Sequence, residues 1–423
     1  MRILLVSVNP FSEDLNNGKT YESMLSGFKS EDIAQLFFCL YYPDFNYCNN
    51  YFRITDIDIL KSLKGCKQCG APLKFYTKIS PKIKRDIFFI QNLKPRTPAF
   101  FRDILWGTKR WKTDELKKWY REFAPDMVMF VGGPYAFMSD IAIYIANDLN
   151  VPLISFYTDD YLLHSVKPGL FHWFEKCRLS RIFKKAIKKS HLNLAIGDLM
   201  AKEYSEYFGR NFYPIMNSVP IRPYHDYPKR DKLVISYFGG LHLNRGEMIA
   251  KLARMVGDRA EVRVYSFAPT VEERYKFDSS GVIFCGRVSG EELWDKIYES
   301  DVLLHVESDD KYLRKLTRLS VSTKIPEYLM SGRPILGYGP TEVASMRLLK
   351  DNNVGVVLSS EADDNEVVEV IDKLLGEYQY RADIGKRGYD FCVNKFDNQK
   401  VVDDLMSKLE NVVSDFKRIE KNI

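Results

Sequence analysis

Residues 233–246 read LVISYFGGLHLNRG. Leu233 to Phe238 is a short, mostly apolar run between charged residues and two glycines, the pattern of a buried strand. Gly239 and Gly240 let the backbone turn tightly and let a ligand approach it closely. A helical pattern then runs from about residue 244 to 256, with Arg245 at its start. Strand, glycine turn and helix in that order form the repeating unit of a parallel α/β sheet. A helix N-terminus beside an arginine attracts anionic oxygens, and a diphosphate suits it.

The alternation continues on both sides. Downstream, strands are expected at 261–267, 282–284, 301–307 and 334–338, with helices at 289–300, 324–331, 341–350, 364–376 and 398–418. Ser289-Gly-Glu-Glu292 reads as a capping box. Upstream, strands are expected at 2–8, 126–131, 151–157 and 191–196, and helices at 139–149, 172–189 and 198–208. Residues 25–76 show no period and read as irregular. Residues 217–231 hold three prolines and several charges and read as a linker. The expected fold class is therefore α/β, with two Rossmann-like, doubly wound parallel-sheet domains facing a cleft. Their bounds are 1–226 and 232–395, and a helix in 396–423 is expected to cross back to the first domain. In such sheets the ligand sits beyond the carboxyl ends of the strands.

A second polar cluster follows at residues 320–336, SVSTKIPEYLMSGRPIL. Ser322 and Thr323 are placed to cap a helix near Lys324, whose free amides would face anionic oxygens. Glu327 lies about one turn, roughly 5 Å, further on, where it can accept hydrogen bonds from a ribose. In the first half, Asp159 and Asp160 stand at a strand's carboxyl end, with His164 a turn later. Either carboxylate suits holding a hydroxyl or its proton, which the resemblance described next implies is an acceptor's; a helix N-cap is the structural alternative. Near the N-terminus, Gly18-Lys19-Thr20 has the ending of a P-loop, but the first glycine of that motif would fall on Glu13. Gly18 reads instead as an ordinary glycine turn between a first strand and a first helix; the resemblance described next implies that this turn lies on an acceptor side.

Residues 322–336, STKIPEYLMSGRPIL, resemble the donor-site motif of GT-B glycosyltransferases, in particular glycosyltransferase family 4. Gly239 to Gly246 resembles that family's glycine turn ending in Lys-Gly or Arg-Gly. Phe284-Cys-Gly-Arg-Val288 resembles its loop against the nucleobase, and Asp301-Val-Leu-Leu-His305 its next strand. The likeness is strong from about residue 233 to 357 and weaker upstream, at PDMVMFVGG and the strand before Asp159. It implies that Arg245 neutralises the donor diphosphate and that Ser322, Thr323 and Lys324 cradle it. Glu327 would hold the ribose, with Gly239, Gly240, Arg287 and Val288 completing the donor side. Two positions depart from the family pattern. A second glutamate is common eight positions before the first, and here stands Leu319; Glu307 is the candidate substitute. An arginine often follows the first glycine of the turn, and here stands Gly240; Arg314 or Arg318 would have to supply that charge.

The resemblance implies a retaining transfer from a nucleoside-diphosphate sugar to a hydroxyl of a glycan or lipid-linked glycan, in cell-surface polysaccharide synthesis. No cofactor and no metal are expected. The aspartate pairs 159–160 and 309–310 are discounted as metal ligands because the architecture has two Rossmann-like halves. The rival readings are a nucleotide-sugar 2-epimerase of the same fold and a non-catalytic relative that binds glycan or a partner.

With 423 residues, a net charge of +6 and seven scattered cysteines, the chain reads as cytoplasmic with free thiols; Cys66 and Cys69 are the only close pair. No apolar run approaches membrane-spanning length. Residues 77–125 hold 13 Lys/Arg against five Asp/Glu, with Trp106, Trp111 and Trp119 among them, and 172–189 is also basic. These segments suit an anionic membrane surface at the inner face of the plasma membrane, or a solvated basic face with its tryptophans in the core. No recognition motif for nucleic acid accompanies the charge.

Overall fold

The computed structural model describes residues 1–12, 16–74, 99–164, 170–225, 230 and 232–421. Glu13, the basic stretch 77–98 and linker residues 226–229 and 231 lie outside the described residues. The chain divides into two units: Met1–Ile215 with Val402–Ile423, and Met216–Val401.

The first unit holds strands β1 (Ile3–Ser7), β2 (Ile33–Phe37), β3 (Asn50–Arg53), β4 (Ala71–Leu73), β5 (Met127–Val131), β6 (Leu153–Tyr157), β7 (Leu192–Ile196) and β8 (Phe212–Ile215). They form one sheet in the order β4-β3-β2-β1-β5-β6-β7-β8. The described pairings are parallel except β3 with β4. Each of β1, β2, β5, β6 and β7 is buried along its whole length, as a sheet covered on both faces requires. Because the chain leaves β1 toward β2 and later returns to β5, the topological switch point lies between β1 and β5.

Two features of this unit differ from the sequence expectation, and a third settles an alternative it left open. Residues 25–76 are not irregular: they carry β2, β3, β4 and the helix Asp56–Leu63, opened by a capping box of Thr55 and Asp58. Gly18 is not in a turn. It sits in the first turn of the helix Asn16–Leu25, where a Cβ would lie 2.4 Å from the Ser12 carbonyl oxygen. The glycine therefore serves close approach of the chain to itself. The three tryptophans of the basic segment are core residues. Trp106 donates to Asp56 Oδ1 (2.6 Å), Trp111 to the Trp106 carbonyl (3.2 Å) and Trp119 to Asn50 Oδ1 (2.6 Å).

The helix Asn398–Lys421 supplies the last layer of the first unit through buried Val402, Leu405, Leu409 and Val413. Gly27 lets it approach, since a Cβ there would stand 2.5 Å from Val402 Cγ1. Phe416 packs edge-on against His191, with centroids 5.0 Å apart.

The second unit holds β9 (Leu233–Phe238), β10 (Ala260–Tyr265), β11 (Val282–Gly286), β12 (Val302–Val306), β13 (Ile335–Gly339) and β14 (Val356–Ser359). Their order is β11-β10-β9-β12-β13-β14, and every described pairing is parallel. The switch point here lies between β9 and β12. Ser289 precedes the helix Gly290–Tyr298 but makes no side-chain cap, so the expected capping box does not form. No helix among the described residues is long and apolar enough to cross a membrane. All seven cysteines are free thiols; Cys66 is exposed, and burial pushes the Cys69 thiol up to about 12.

Candidate functional site

At the switch point of the second unit the two central strands part. Strands β9 and β12 pair only at Val302↔Ile235 and Leu303↔Ser236. Two residues further along β9, the Phe238 backbone faces no neighbouring strand on that side. The Tyr328 hydroxyl takes its place: it accepts from the Phe238 N–H (2.9 Å) and donates to the Phe238 carbonyl (3.2 Å). One side chain from the helix Ile325–Met330 thus satisfies both backbone groups just before the glycine turn. The parted strand ends leave a crevice lined by charge.

Arg245 opens the helix Arg245–Val256, and its N-cap, Asn244, makes no side-chain cap. Leu243 and Asn244 both take left-handed φ values of 61°. For leucine this is a strained conformation, of the sort retained where a local geometry must be held. It leaves the first amides of a twelve-residue helix without a side-chain cap beside a guanidinium, an arrangement that favours an anion.

Arg245 Nη2 lies 3.7 Å from Glu307 Oε2, an ion pair too long for a hydrogen bond. Arg245 Nε and Glu307 Oε2 are both buried without a hydrogen-bond partner among the described residues. Glu307 is 3% exposed and His305 4%, and His305 Nε2 stands 3.2 Å from Glu307 Oε1. Burial opposes the charge on Glu307, but Arg245 and His305 outweigh it and hold the carboxyl below its usual range. Burial likewise opposes the charge on Arg245, and Glu307 and Tyr237 hold its pKa up. The pair is ionised yet loosely closed, which leaves the guanidinium capacity for another anion.

A pH consequence follows. The folded pKa of Glu307 is lowered, so its contribution to stability is complete above the unfolded value near 4.5 and is lost as pH falls through the folded value. Acid unfolding should therefore be steeper below that point in wild type than in Glu307→Gln. Denaturant titrations of both chains across the acid range test this, and parallel curves would refute it.

The motif helix behaves differently from its sequence expectation. It is only six residues long, and its N-cap, Lys324, has no side-chain cap. The Lys324 N–H points at Ser322 Oγ (3.4 Å), the Ile325 N–H donates to the Ser322 carbonyl (3.2 Å), and Pro326 has no N–H. Of the amides at this helix start, those of Lys324 and Ile325 are thus directed at Ser322, and residue 326 has none. Ser322 donates its own N–H to Ser345 Oγ (3.0 Å), and Thr323 is half-buried. What this helix offers is side chains: Lys324 Nζ donates to Glu327 Oε2 at 2.7 Å, with both groups 23% exposed.

The family departures have structural counterparts. Leu319 is fully buried and presents no polar group. The space beside Gly240 is filled by the His242 ring, whose Nδ1 would lie 2.6 Å from a Cβ. Arg314, a candidate for that charge, pairs with Glu342 and with Glu361 (2.8 Å). Burial opposes the charge on Glu342, and Arg318 lies near enough to help Arg314 lower its pKa against that. Asp309 pairs with Lys251 (2.6 Å), and Asp310 caps the helix Lys311–Thr317. Among the described residues no three His, Cys, Asp or Glu side chains group as metal ligands. Arg287 lies over the Phe267 ring at 4.6 Å, and Phe267 is largely exposed. The sequence reading names Arg287 but takes Phe267 as the last residue of a strand; β10 ends at Tyr265, and no spacing signal joins the two side chains. Val288 is half-buried beside Arg287.

In the first unit the two aspartates separate. Asp160 is 0% exposed and wholly engaged. It accepts from the N–H groups of Leu162 (3.0 Å), Leu163 (2.8 Å) and His164 (2.8 Å) and from the Tyr204 hydroxyl (3.0 Å). It organises the turn and has no direction left for an acceptor. Asp159 is half-buried, accepts from the Thr158 hydroxyl (3.1 Å), and lies near Tyr21 and Tyr161. Burial, reinforced by the Asp159 charge, keeps both phenols protonated. His164 Nε2 lies 2.7 Å from Glu203 Oε2, a partner on the helix Gly197–Phe208 that spacing alone did not reveal.

Residues 245–407 match a family model described as glycosyl transferase-like. No curated protein sequence matches the chain. Among solved structures, Anabaena HepE in complex with UDP-glucose is similar with a TM-score of 0.63 and 11% identity, over 97% of this chain and 100% of that one. WaaG, a glycosyltransferase involved in lipopolysaccharide biosynthesis, is similar with a TM-score of 0.56 and 11% identity, over 96% and 99%. TarM is similar with a TM-score of 0.52 and 13% identity; the match covers 70% of this chain and spans 57% of TarM. The chain thus has a GT-B fold along its length, and residues 245–407 carry a glycosyl transferase-like sequence.

Proposed function

We propose that this chain transfers a sugar, with retention, from a nucleoside-diphosphate sugar held in the second unit. The acceptor is a hydroxyl of a glycan or lipid-linked glycan held by the first, in cell-surface polysaccharide synthesis. The observation that carries this reading is the loosely closed Arg245–Glu307 pair beside an uncapped helix N-terminus, in the crevice where β9 and β12 part. As the glycosidic bond breaks, negative charge develops on the leaving diphosphate. Arg245, the amides at the start of its helix, and Lys324 lie where they lower the energy of that charge. Glu327 receives the ribose hydroxyls, and Lys324 is released from it toward phosphate. Phe267 and Arg287 suit the face of a nucleobase. On the acceptor side, Asp159 is the carboxylate with accessible surface, and it orients the attacking hydroxyl. No metal is assigned a part; the cationic groups carry the leaving-group charge.

Calorimetry with UDP, GDP and ADP tests the donor site. The UDP-glucose bound to the Anabaena structure makes uridine the first base to try. One nucleotide is expected to bind, and Glu327→Ala to weaken it about 10- to 100-fold, the worth of hydrogen bonds to a charged group. A folded wild type that binds none of the three overturns the proposal. Buried Leu319 and the engaged Arg314 favour one second reading, a protein that binds the nucleotide sugar without turning it over. Tight binding without release of nucleoside diphosphate in the presence of glycan acceptors would select it.

A further inference from the structure

We propose that the helices Ala99–Gly107 and Leu170–Lys189 of the first unit form a docking surface for an anionic phospholipid membrane. The inference rests on exposure and charge in the first unit alone, and it stands independently of the donor-site reading. Five large apolar side chains lie exposed on these two helices: Phe100 (46%), Phe101 (58%), Ile104 (54%), Trp173 (57%) and Phe174 (58%). Together they present apolar surface on the order of 400–500 Å², a size that in a soluble monomer marks an interaction site.

The five are held together. Arg178 pairs with Asp103, linking the two helices, and its Nη2 donates to the Pro134 carbonyl at 2.9 Å. Asp103 also accepts the Ala136 N–H at 2.8 Å. Phe100 and Ile104 lie within a turn of Asp103, and Trp173 and Phe174 about one turn before Arg178. Within each helix the rings touch: Phe100 with Phe101 (5.7 Å) and Trp173 with Phe174 (5.1 Å). Because Pro134 follows β5, the patch lies at the carboxyl edge of the first sheet, the edge that also carries Asp159.

Charge selects the partner. At about 100° per residue, Trp173, Phe174, Arg181, Lys184 and Lys188 fall within roughly a 100° arc of one helix, all exposed. Buried Leu179, Phe183, Ala186 and Ile187 occupy the opposite side. Lys109, Arg110 and Lys112 are exposed just beyond the other helix. The one carboxylate on the longer helix, Glu175, is held by Arg178 at 2.8 Å. Aromatic side chains followed along the same face by exposed cations match the depth profile of an anionic leaflet, with rings at the headgroup level and cations at the phosphates.

The test is co-sedimentation of the full chain with vesicles of phosphatidylcholine alone and of phosphatidylcholine with equimolar phosphatidylglycerol, at low and high salt. Wild type is expected to bind the anionic vesicles and to release at high salt. Phe101→Ser with Trp173→Ser, and separately Arg181→Glu with Lys184→Glu, should each weaken binding at least about tenfold. Thermal midpoint and nucleotide binding should be unchanged in both. Absence of binding by wild type, binding untouched by either pair, or equal binding to neutral vesicles would each overturn the proposal. So would a wild type that ignores vesicles but dimerises through these same side chains, an outcome that names a second copy as the occupant.

Discussion

Arg245→Ala is expected to lower turnover by about 10²- to 10³-fold, the usual cost of removing one preorganised group that faces developing negative charge. The same change leaves Glu307 buried and ionised with His305 as its remaining close partner, which should cost about 3–5 kcal/mol of stability. The two effects must be separated, because a partly unfolded variant would also be inactive. Arg245→Met combined with Glu307→Gln removes both charges and is expected to recover most of the stability while turnover stays low. Denaturant unfolding and donor hydrolysis on the two variants make the comparison. If the double variant regains turnover together with stability, Arg245 only supports the fold, and the electrostatic role is wrong.

The second large effect belongs to Asp160. Replacing it with alanine strips three backbone N–H groups and the Tyr204 hydroxyl of their acceptor in a fully buried place. The expected loss is about 3–5 kcal/mol, lowering the unfolding midpoint on the order of 10 °C for a unit of this size. Asp160→Asn should fall between, because an amide nitrogen would face the His164 N–H and two donors cannot pair. Asp159→Asn makes the contrast: unchanged stability, with turnover reduced. A stable but inactive Asp160→Ala chain would reverse the two assignments.

Much of the second unit was legible in the sequence because its signals are local. Leu233 to Phe238 ends at two glycines and is observed as the strand Leu233–Phe238. Much of the first unit was hidden for equally physical reasons. Strand β2 carries Gln35 at its centre, which breaks the apolar run that marks a buried strand. The structure satisfies that glutamine with Ser7 Oγ (2.8 Å), the Asn9 carbonyl (3.1 Å) and the Phe11 N–H (3.0 Å), partners 24 to 28 residues away. Strands β3 and β4, reading NYFR and APL, are too short to show a period. The same limit applies to the site. Spacing brings forward Arg245, Lys324 and Glu327, but it does not say that Asp160 is consumed by amides or that Glu203 holds His164. Those facts depend on which helix packs over which strand end.

The first unit is built from both ends of the chain, with residues 216–401 inserted between its halves. During synthesis the ribosome therefore delivers the sheet β1–β8 long before the helix whose Val402, Leu405 and Leu409 close that unit's core. The inserted unit is complete first and is free to fold as it emerges, while the earlier sheet waits with an uncovered apolar surface beside Gly27 and His191. The nascent chain is thus most prone to aggregate late in translation, and that exposure lasts until residues 402–421 arrive.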